Sequence, residues 1–325
     1  LAPAENQRVL QVVRVVAGCL VVESSVVAAG DLDGLAEAAA EGADVVAASE
    51  AAHPYLDAIG LSAGSPDPEI GSQQWWLDDL NVAGLDALSV DAATPKVRVA
   101  VIDSGIDDSN PDLAGSVALR VPWAGAPTGA PDAAQAHGTH VAGIIDAAAA
   151  NGEEGRGVAR HVEFLDVNFG GESAPSVSEM IDWAVDHGAD VINMSFCEVG
   201  SDGKLPCRDK PSGATAASIA YARSKAVLVF ASAGNCGPAN YNNTKTKGAS
   251  QCGKVKNRLT YPAGYQGVIA VGAYGADGAI AGFSTANESV DVSAPGVDIR
   301  STVFGKTTST MSGTSQASPM VAGAA

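Results

Sequence analysis

The chain has 325 residues, 46 % hydrophobic and 17 % charged, which suits one large domain with a small companion and excludes a disordered chain. Nineteen basic residues stand against 37 acidic ones, a net charge of −18. Phosphate recognition draws on clustered Lys and Arg, so nucleic acid and anionic membrane surfaces are not expected partners. The early apolar run 15–22 falls far short of the ~20 residues of a membrane span, so no span is expected.

In chain order, residues 8–27 are Val-rich with polar interruptions and predict one or two strands. Residues 31–40 (DLDGLAEAAA) open on acidic side chains and predict a helix, and 44–47 a short strand. Gly, Ser and two prolines over 61–72 predict a linker. Residues 1–68 therefore form a small α+β N-terminal module plus linker, and 69–325 a second domain. There, 97–102 is a near-continuous apolar run ending at Asp103, as a buried parallel strand should be, and 162–167, 190–194, 226–231 and 267–271 are four more. Helical stretches at 137–150, 176–187 and 214–224 lie between them. The alternation predicts an α/β domain, a mostly parallel sheet flanked by helices. Sites in such sheets gather at the carboxyl ends of the strands, which singles out Asp103.

Cys197 and Cys207 lie ten residues apart, Cys236 and Cys252 sixteen apart, and Cys19 stands alone. Two local loops closed by disulfides would suit an oxidising compartment; four reduced thiols are the alternative. No Cys-x-x-Cys pair marks a structural zinc site. The first residue is Leu1, which implies an upstream piece where a signal peptide would lie.

Three segments carry chemistry. Residues 99–105 (VAVIDSG) deliver the Asp103 carboxylate into a glycine turn, 137–143 (HGTHVAG) open a helix with His137, and 312–319 (SGTSQASP) put Ser315 at the start of the final helix. A serine hydroxyl is a weak nucleophile and needs a base beside it. An imidazole, with an ordinary pKa of ~6.5, serves as that base and later as the acid. A buried carboxylate fixes its tautomer and stabilises the imidazolium. Each segment alone has an ordinary reading as a turn, a structural histidine or a helix cap. Together, in the order Asp, His, Ser, they are specific.

From about residue 72 onward the chain resembles the subtilisin family of serine proteases. The resemblance implies a subtilisin-like fold, Asp103 as the orienting carboxylate, His137 as the general base and Ser315 as the nucleophile, with His140 structural. Residues 229–235 (VFASAGN) end in Asn235, which resembles the family's oxyanion-hole asparagine, and the Ser315 N–H should supply a second donor. Ser195 and Phe196, in the segment 193–196 (NMSF), resemble the strand that pairs with an extended substrate; Glu172, Ser173 and Ala174 lie where the opposing strand is expected. Ser232, Ala233 and Gly234 would line the other wall of the primary pocket. Thr260 falls where the floor is often glycine, and a β-branched floor should disfavour large aromatic side chains. Cys197 departs from the family's glycine, and a link to Cys207 would brace the wall. Gln316 replaces a common Met, which predicts tolerance of mild peroxide.

The resemblance further implies a structural calcium ion, with Asp112, Asn151 and Gln73 (or Gln74) as candidate ligands, and no cofactor for the chemistry itself. Polypeptides are the expected substrates and secretion the expected destination. Residues 1–68 match a prosegment in place and size, and would act as an intramolecular inhibitor of a zymogen. The chain stops ten residues after Ser315, where the family pattern continues, so the peptidase domain reads as C-terminally truncated. Alternatives are a narrow-specificity maturation protease resembling the mycosins and an inactive binding module that keeps the fold. A metallohydrolase built on His137 and His140 is disfavoured, because their i, i+3 spacing lacks the zincin pattern.

Overall fold

The computed structural model describes the backbone of residues 7–16 and 19–28, and residues 73–82, 95–123, 136–153, 155–169, 175–199, 206–240, 252–253, 255–305 and 307–325. The chain divides into two compact units, 1–63 and 64–325. In the first, β1 (Gln7–Val16) pairs antiparallel with β2 (Cys19–Ala28), so the Val-rich stretch is two strands. The helix and strand expected over 31–47 and the linker over 61–72 lie outside the described residues.

The second unit contains a seven-stranded sheet in the order β4-β5-β3-β6-β7-β8-β9, every pairing parallel. After the single turn α1 (Trp76–Asp79) come β3 (Val97–Asp103), β4 (Val117–Arg120), α2 (His137–Asp146), β5 (Val162–Asn168), α3 (Val177–Asp186) and β6 (Val191–Met194). Next are α4 (Gly213–Ser224), β7 (Leu228–Ser232), β8 (Ile269–Tyr274) and β9 (Val292–Pro295). A hairpin of β10 (Ile299–Thr302) and β11 (Thr308–Met311) precedes α5 (Thr314–Ala324).

The continuous apolar strands are explained by cover on both faces. Along β3, Val99 and Val101 face a core shared with Val141, Ile144 and Ile145 of α2 and Ala317 and Met320 of α5. Ala100 and Ile102 face a second core with Met180 and Ile181 of α3 and Ile219 and Ala222 of α4. Period-two alternation thus feeds two apolar layers, and no polar side is left over. Helix α3 starts on a capping box, with Ser176 accepting from the Glu179 N–H while the Glu179 side chain takes the Ser176 N–H.

β3 is the point where the strand order turns, with β5 on one side and β6 on the other. Open parallel sheets place ligands beyond the carboxyl ends of strands at such a point. The strands β4, β9, β10 and β11 were not foreseen. They are four residues each, and β4, β10 and β11 mix polar with apolar residues, so they lack the run that marked the central strands.

Candidate active site

Asp103 ends β3 at 1 % exposure, and its Oδ1 accepts the Ser104 N–H at 2.7 Å. His137 opens α2, and its Nδ1 lies 2.8 Å and 3.0 Å from the two Asp103 oxygens. With the Nδ1 proton donated to the carboxylate, Nε2 keeps the lone pair, which is the tautomer a base needs. The helix start can come this close because residue 138 is glycine. A Cβ there would lie 2.5 Å from the Gly105 carbonyl oxygen and 3.2 Å from the Asp103 Cβ. The Gly138 N–H is taken by Ser104 Oγ at 3.0 Å. Burial alone would lower the His137 pKa; the charge and hydrogen bond of Asp103 outweigh it, and the pKa is raised.

The turn after Asp103 is gripped from behind by a buried ion pair. The Asp166 carboxylate of β5 accepts the Ile106 N–H at 3.2 Å and pairs with Arg120, whose Nη1 donates to the Ile106 carbonyl at 3.1 Å. Both polar groups of one turn residue are thereby fixed. Arg120 also reaches Asp108 at 3.2 Å.

His140 serves another purpose. It is fully buried, and its Nε2 faces the carbonyls of Ile299 at 3.1 Å and Ser309 at 3.0 Å, tying α2 to the hairpin. Burial pulls its pKa down to about 4, so it is neutral near pH 7 and donates.

Ser315 lies one residue into α5. That helix has no side-chain cap of its own; instead Asn235, beyond the end of β7, accepts the Thr314 N–H at 3.0 Å and the Thr314 hydroxyl at 3.1 Å on its Oδ1. The amide oxygen is committed to the helix, which leaves Nδ2 to face away from it. The Ser315 N–H, a first-turn donor, has no acceptor among the described residues. A Cβ on Gly313 would sit 2.9 Å from Gln316 Oε1, 3.5 Å from Asn235 Nδ2 and 3.6 Å from the Ser315 N, so both nitrogens border the same small space.

Pro319 lies four residues after Ser315 and cannot donate to its carbonyl. The Ser195 hydroxyl donates to that carbonyl instead, at 2.8 Å. Ser195 Oγ in turn accepts from Asn193 Nδ2 at 3.0 Å, and Asn193 Oδ1 accepts from Ser318 Oγ at 2.7 Å. This buried relay pins the start of α5 to the end of β6.

Ser315 Oγ donates to the Ser195 main-chain carbonyl at 3.0 Å and makes no hydrogen bond with His137 in this rotamer. Ile102 pairs with Met194, so Asp103 and Ser195 are the next residues on neighbouring strands ~4.8 Å apart. The structure therefore brings together Asp103 with His137, and Ser315 with Ser195 and Asn235.

Around this cluster, Phe196 packs edge-on against Phe169, ring centres 5.4 Å apart. Thr260 is 2 % exposed, with its Oγ1 3.5 Å from the Ala233 carbonyl. A Cβ on Gly234, at φ +97°, would meet Thr260 Oγ1 at 3.0 Å, so the Thr260 side chain fills space against that wall. Ser232 is buried beside it. Glu172, Ser173 and Ala174 lie outside the described residues. Disulfides join Cys197 to Cys207 and Cys236 to Cys252.

Among the calcium candidates, Asp112 and Asn151 meet each other, and Gln73 and Gln74 meet Arg300 and Arg156. Asn151 Nδ2 donates to Asp112 Oδ1 at 2.9 Å, while its Oδ1 takes the Glu153 N–H at 2.9 Å. Gln73 Oε1 accepts from the Arg300 guanidinium, and Gln74 Oε1 from the Arg156 N–H at 3.3 Å. Calcium needs six to eight converging oxygens without cations among them. Among the described residues no group of three or more His, Cys, Asp and Glu could hold a metal.

A family model described as the subtilase family matches residues 94–325. The chain belongs to the subtilase family. It is 38 % identical over 237 residues to subtilisin amylosacchariticus of Bacillus subtilis subsp. amylosacchariticus, covering 70 % of this chain and 54 % of the relative. To the subtilisin of Bacillus pumilus it is 39 % identical, covering 70 % of this chain and 75 % of the relative. The chain thus spans about half the length of several relatives it matches. Among solved structures it is similar to the prenylagaramide maturation protease PagA, with a TM-score of 0.57 and 26 % identity over 74 % of this chain and 77 % of that one. Its fold also matches MycP1 with the N-terminal propeptide removed, at a TM-score of 0.58, 24 % identity, and 77 % and 81 % coverage.

Membership explains which residues the sequence made legible. Asp103, His137, Asn235 and Ser315 lie within the matched residues, in the contiguous segments that the sequence singled out. Asn193, Ser318 and Pro319 went unread as a unit, although a proline four residues after a helical serine is itself the signal that one carbonyl needs an outside donor. The Arg120–Asp166 pair joins two strands and leaves no local pattern.

Proposed function

We propose that this subtilase is a secreted serine endopeptidase that cleaves polypeptides through an acyl-enzyme. Ser315 is the nucleophile, His137 the base and then the acid, and Asp103 the orienting carboxylate; Asn235 and the Ser315 N–H hold the oxyanion. The observation that carries this reading is the 2.8 Å contact of His137 Nδ1 with buried Asp103, together with the Asn235 and Ser315 nitrogens that border one small space at the start of α5.

The hydroxyl turns about Cα–Cβ from the Ser195 carbonyl to His137 Nε2; catalytic hydrogen bonds are often unmade in the free enzyme. Oγ then attacks the scissile carbonyl carbon as its proton passes to Nε2, and the π electrons move onto oxygen between Nδ2 of Asn235 and the Ser315 N–H. Collapse expels the amine, which takes the proton from Nε2. Water repeats the sequence on the ester and frees Ser315. The vacated Ser195 carbonyl is placed to accept a substrate N–H, in the manner of strand addition. Thr260 narrows the floor, so small and medium aliphatic residues before the cleaved bond are favoured over Phe.

Two disulfides support an oxidising compartment, and among the described residues no helix is long and apolar enough to cross a membrane. Residues 1–68 are read as a prosegment that inhibits the site until it is cut. A second reading, a maturation protease of narrow specificity, is favoured by the disulfide-closed loops at the pocket and by the likeness to PagA. An inactive binding module is the remaining alternative.

The test is labelling with a fluorophosphonate, with the modified peptide identified by mass spectrometry. Label on Ser315, kept in a metal chelator and lost in Ser315→Ala, supports the reading. An unlabelled Ser315 in folded protein contradicts it.

A further inference from the structure

We infer that Arg258 is a positioning residue for the primary specificity pocket, holding together the two disulfide-closed loops that carry its walls; this rests on the endopeptidase reading above. One wall runs from Ser195 to Glu198. Its Cys197 is bonded to Cys207, and the Arg208 N–H returns to the Glu198 carbonyl at 2.8 Å. The other wall runs from Ser232 to Cys236, whose sulfur is bonded to Cys252 and whose carbonyl takes the Asn257 N–H at 2.7 Å. The floor residue Thr260 follows three positions later on the same segment. Each wall is braced within itself, and Arg258 reaches from the segment of the second to the loop of the first.

Its Nε donates to the Cys207 carbonyl at 3.2 Å, and its Nη2 lies 2.9 Å from the Asp209 carboxylate. The Arg258 side chain is 12 % exposed, so the clasp is anchored at its buried guanidinium, while its Asp209 partner is 57 % exposed and that ion pair contributes little by itself. The loops are packed closely at the same point. A Cβ on Gly253, at φ +53°, would come within 3.1 Å of Pro206 and 3.3 Å of Arg258 Nη1. On the far side, the Glu198 N–H donates to the Tyr261 carbonyl at 2.6 Å, next to the floor. The floor is thus tied to the first wall from both sides, by Glu198 after it and Arg258 before it. A guanidinium suits the task because its rigid fork holds a carbonyl and a carboxylate at once; an ammonium cannot bridge both in fixed geometry.

The pocket's discrimination should therefore depend on Arg258, while the bond-making groups should not. The experiment compares the protein with its Arg258→Ala and Asp209→Ala variants on peptides that differ only in the residue before the cleaved bond (Ala, Leu or Phe). In parallel, diisopropyl fluorophosphate, which has no such residue, measures the nucleophile alone. A pocket difference of one or two methylenes is worth about 10–200-fold, so Arg258→Ala should raise KM for the Ala and Leu peptides by about tenfold and narrow the Leu-to-Phe preference several-fold. Asp209 is 57 % exposed, so Asp209→Ala leaves the fold intact and should move both readouts the same way by less. Reaction with the fluorophosphate should stay within about twofold of the parent. Unchanged residue preference in both variants, or fluorophosphate reactivity that falls as far as peptide turnover, would overturn the inference. Failure of the parent protein itself to react would instead overturn the endopeptidase reading and the inference with it.

Discussion

At the scale of single residues, two side chains set the chemistry through what they accept. Asn235 gives its oxygen to the start of α5, which leaves its nitrogen as the donor proposed for the oxyanion. Asn235→Ala should lower kcat by about 10²–10³ with little change in KM; that size is the known effect in subtilisin itself and is not worked out from this geometry. His137 must be neutral to act, and Asp103 raises its pKa against the pull of burial. The acid limb of the kcat/KM profile should therefore lie above the ordinary histidine value of ~6.5. Asp103→Asn removes the charge, so the limb should move to lower pH while kcat falls about 10⁴-fold. A limb that stays in place in that variant, read from initial rates between pH 5 and 9, would show that Asp103 does not tune the base.

At the scale of elements, the site is an agreement between β3, β5, β6 and the starts of α2 and α5. The Arg120–Asp166 pair shows how the sheet steadies the Asp103 turn. Arg120→Ala strands a buried carboxylate, and breaking such a pair costs about 3–5 kcal/mol. Burial already pushes Asp166 up to about 6 in spite of Arg120, and without the partner it would rise further. The loss in the variant should therefore be large at pH 8 and much smaller at pH 5, where the carboxyl takes a proton; urea unfolding at the two pH values measures it. Equal losses at both would mean that Asp166 carries no charge worth pairing. This element-level support was the least legible in the sequence. Val99 to Ile102 announced β3 because every residue is buried, whereas Arg120 and Asp166 are single polar positions in two different strands. Their meaning depends on a parallel register, Arg120 opposite Asp166, that local pattern does not encode. The motif residues were legible for the opposite reason, since their close packing requires a fixed neighbour in sequence, as Gly138 follows His137.

At the scale of the whole molecule, stability should depend on pH through buried groups that titrate away from their ordinary values. Asp146, at the end of α2, accepts the Val162 N–H at 3.0 Å, yet burial outweighs that bond and the nearby Lys96, His161 and Arg160 and raises its pKa to about 7. The folded state then keeps a proton that the unfolded chain gives up near pH 3.8, so this group's contribution is full below that pH and is lost as pH rises to about 7. His140 works in the other direction. Its folded pKa of about 4 lies below the ordinary 6.5, so its contribution is present above 6.5 and is lost as pH falls through 4. Asp146→Asn keeps an acceptor for Val162 and removes the titration, so its stability should fall less between pH 4 and 7 than that of the parent. A parallel fall in both proteins, followed by thermal unfolding, would place the pH dependence elsewhere. The domain's architecture was readable from its apolar runs, while the pairing of Asn151 with Asp112 and of Gln73 with Arg300 was not. Side-chain amides offer either a donor or an acceptor, and sequence does not say which end faces the neighbour.

The account rests on Asp103, His137 and Ser315 acting as one device. The direct measurement is residual peptide hydrolysis by His137→Ala, Ser315→Ala and the double variant. Groups that act as a unit are strongly non-additive, as in subtilisin, where single losses reach about 10⁶ in kcat and further losses add little. The same is predicted here, with the double variant no slower than the worse single one. Losses that simply multiply would mean that the two residues work independently, and the proposed chemistry would be wrong.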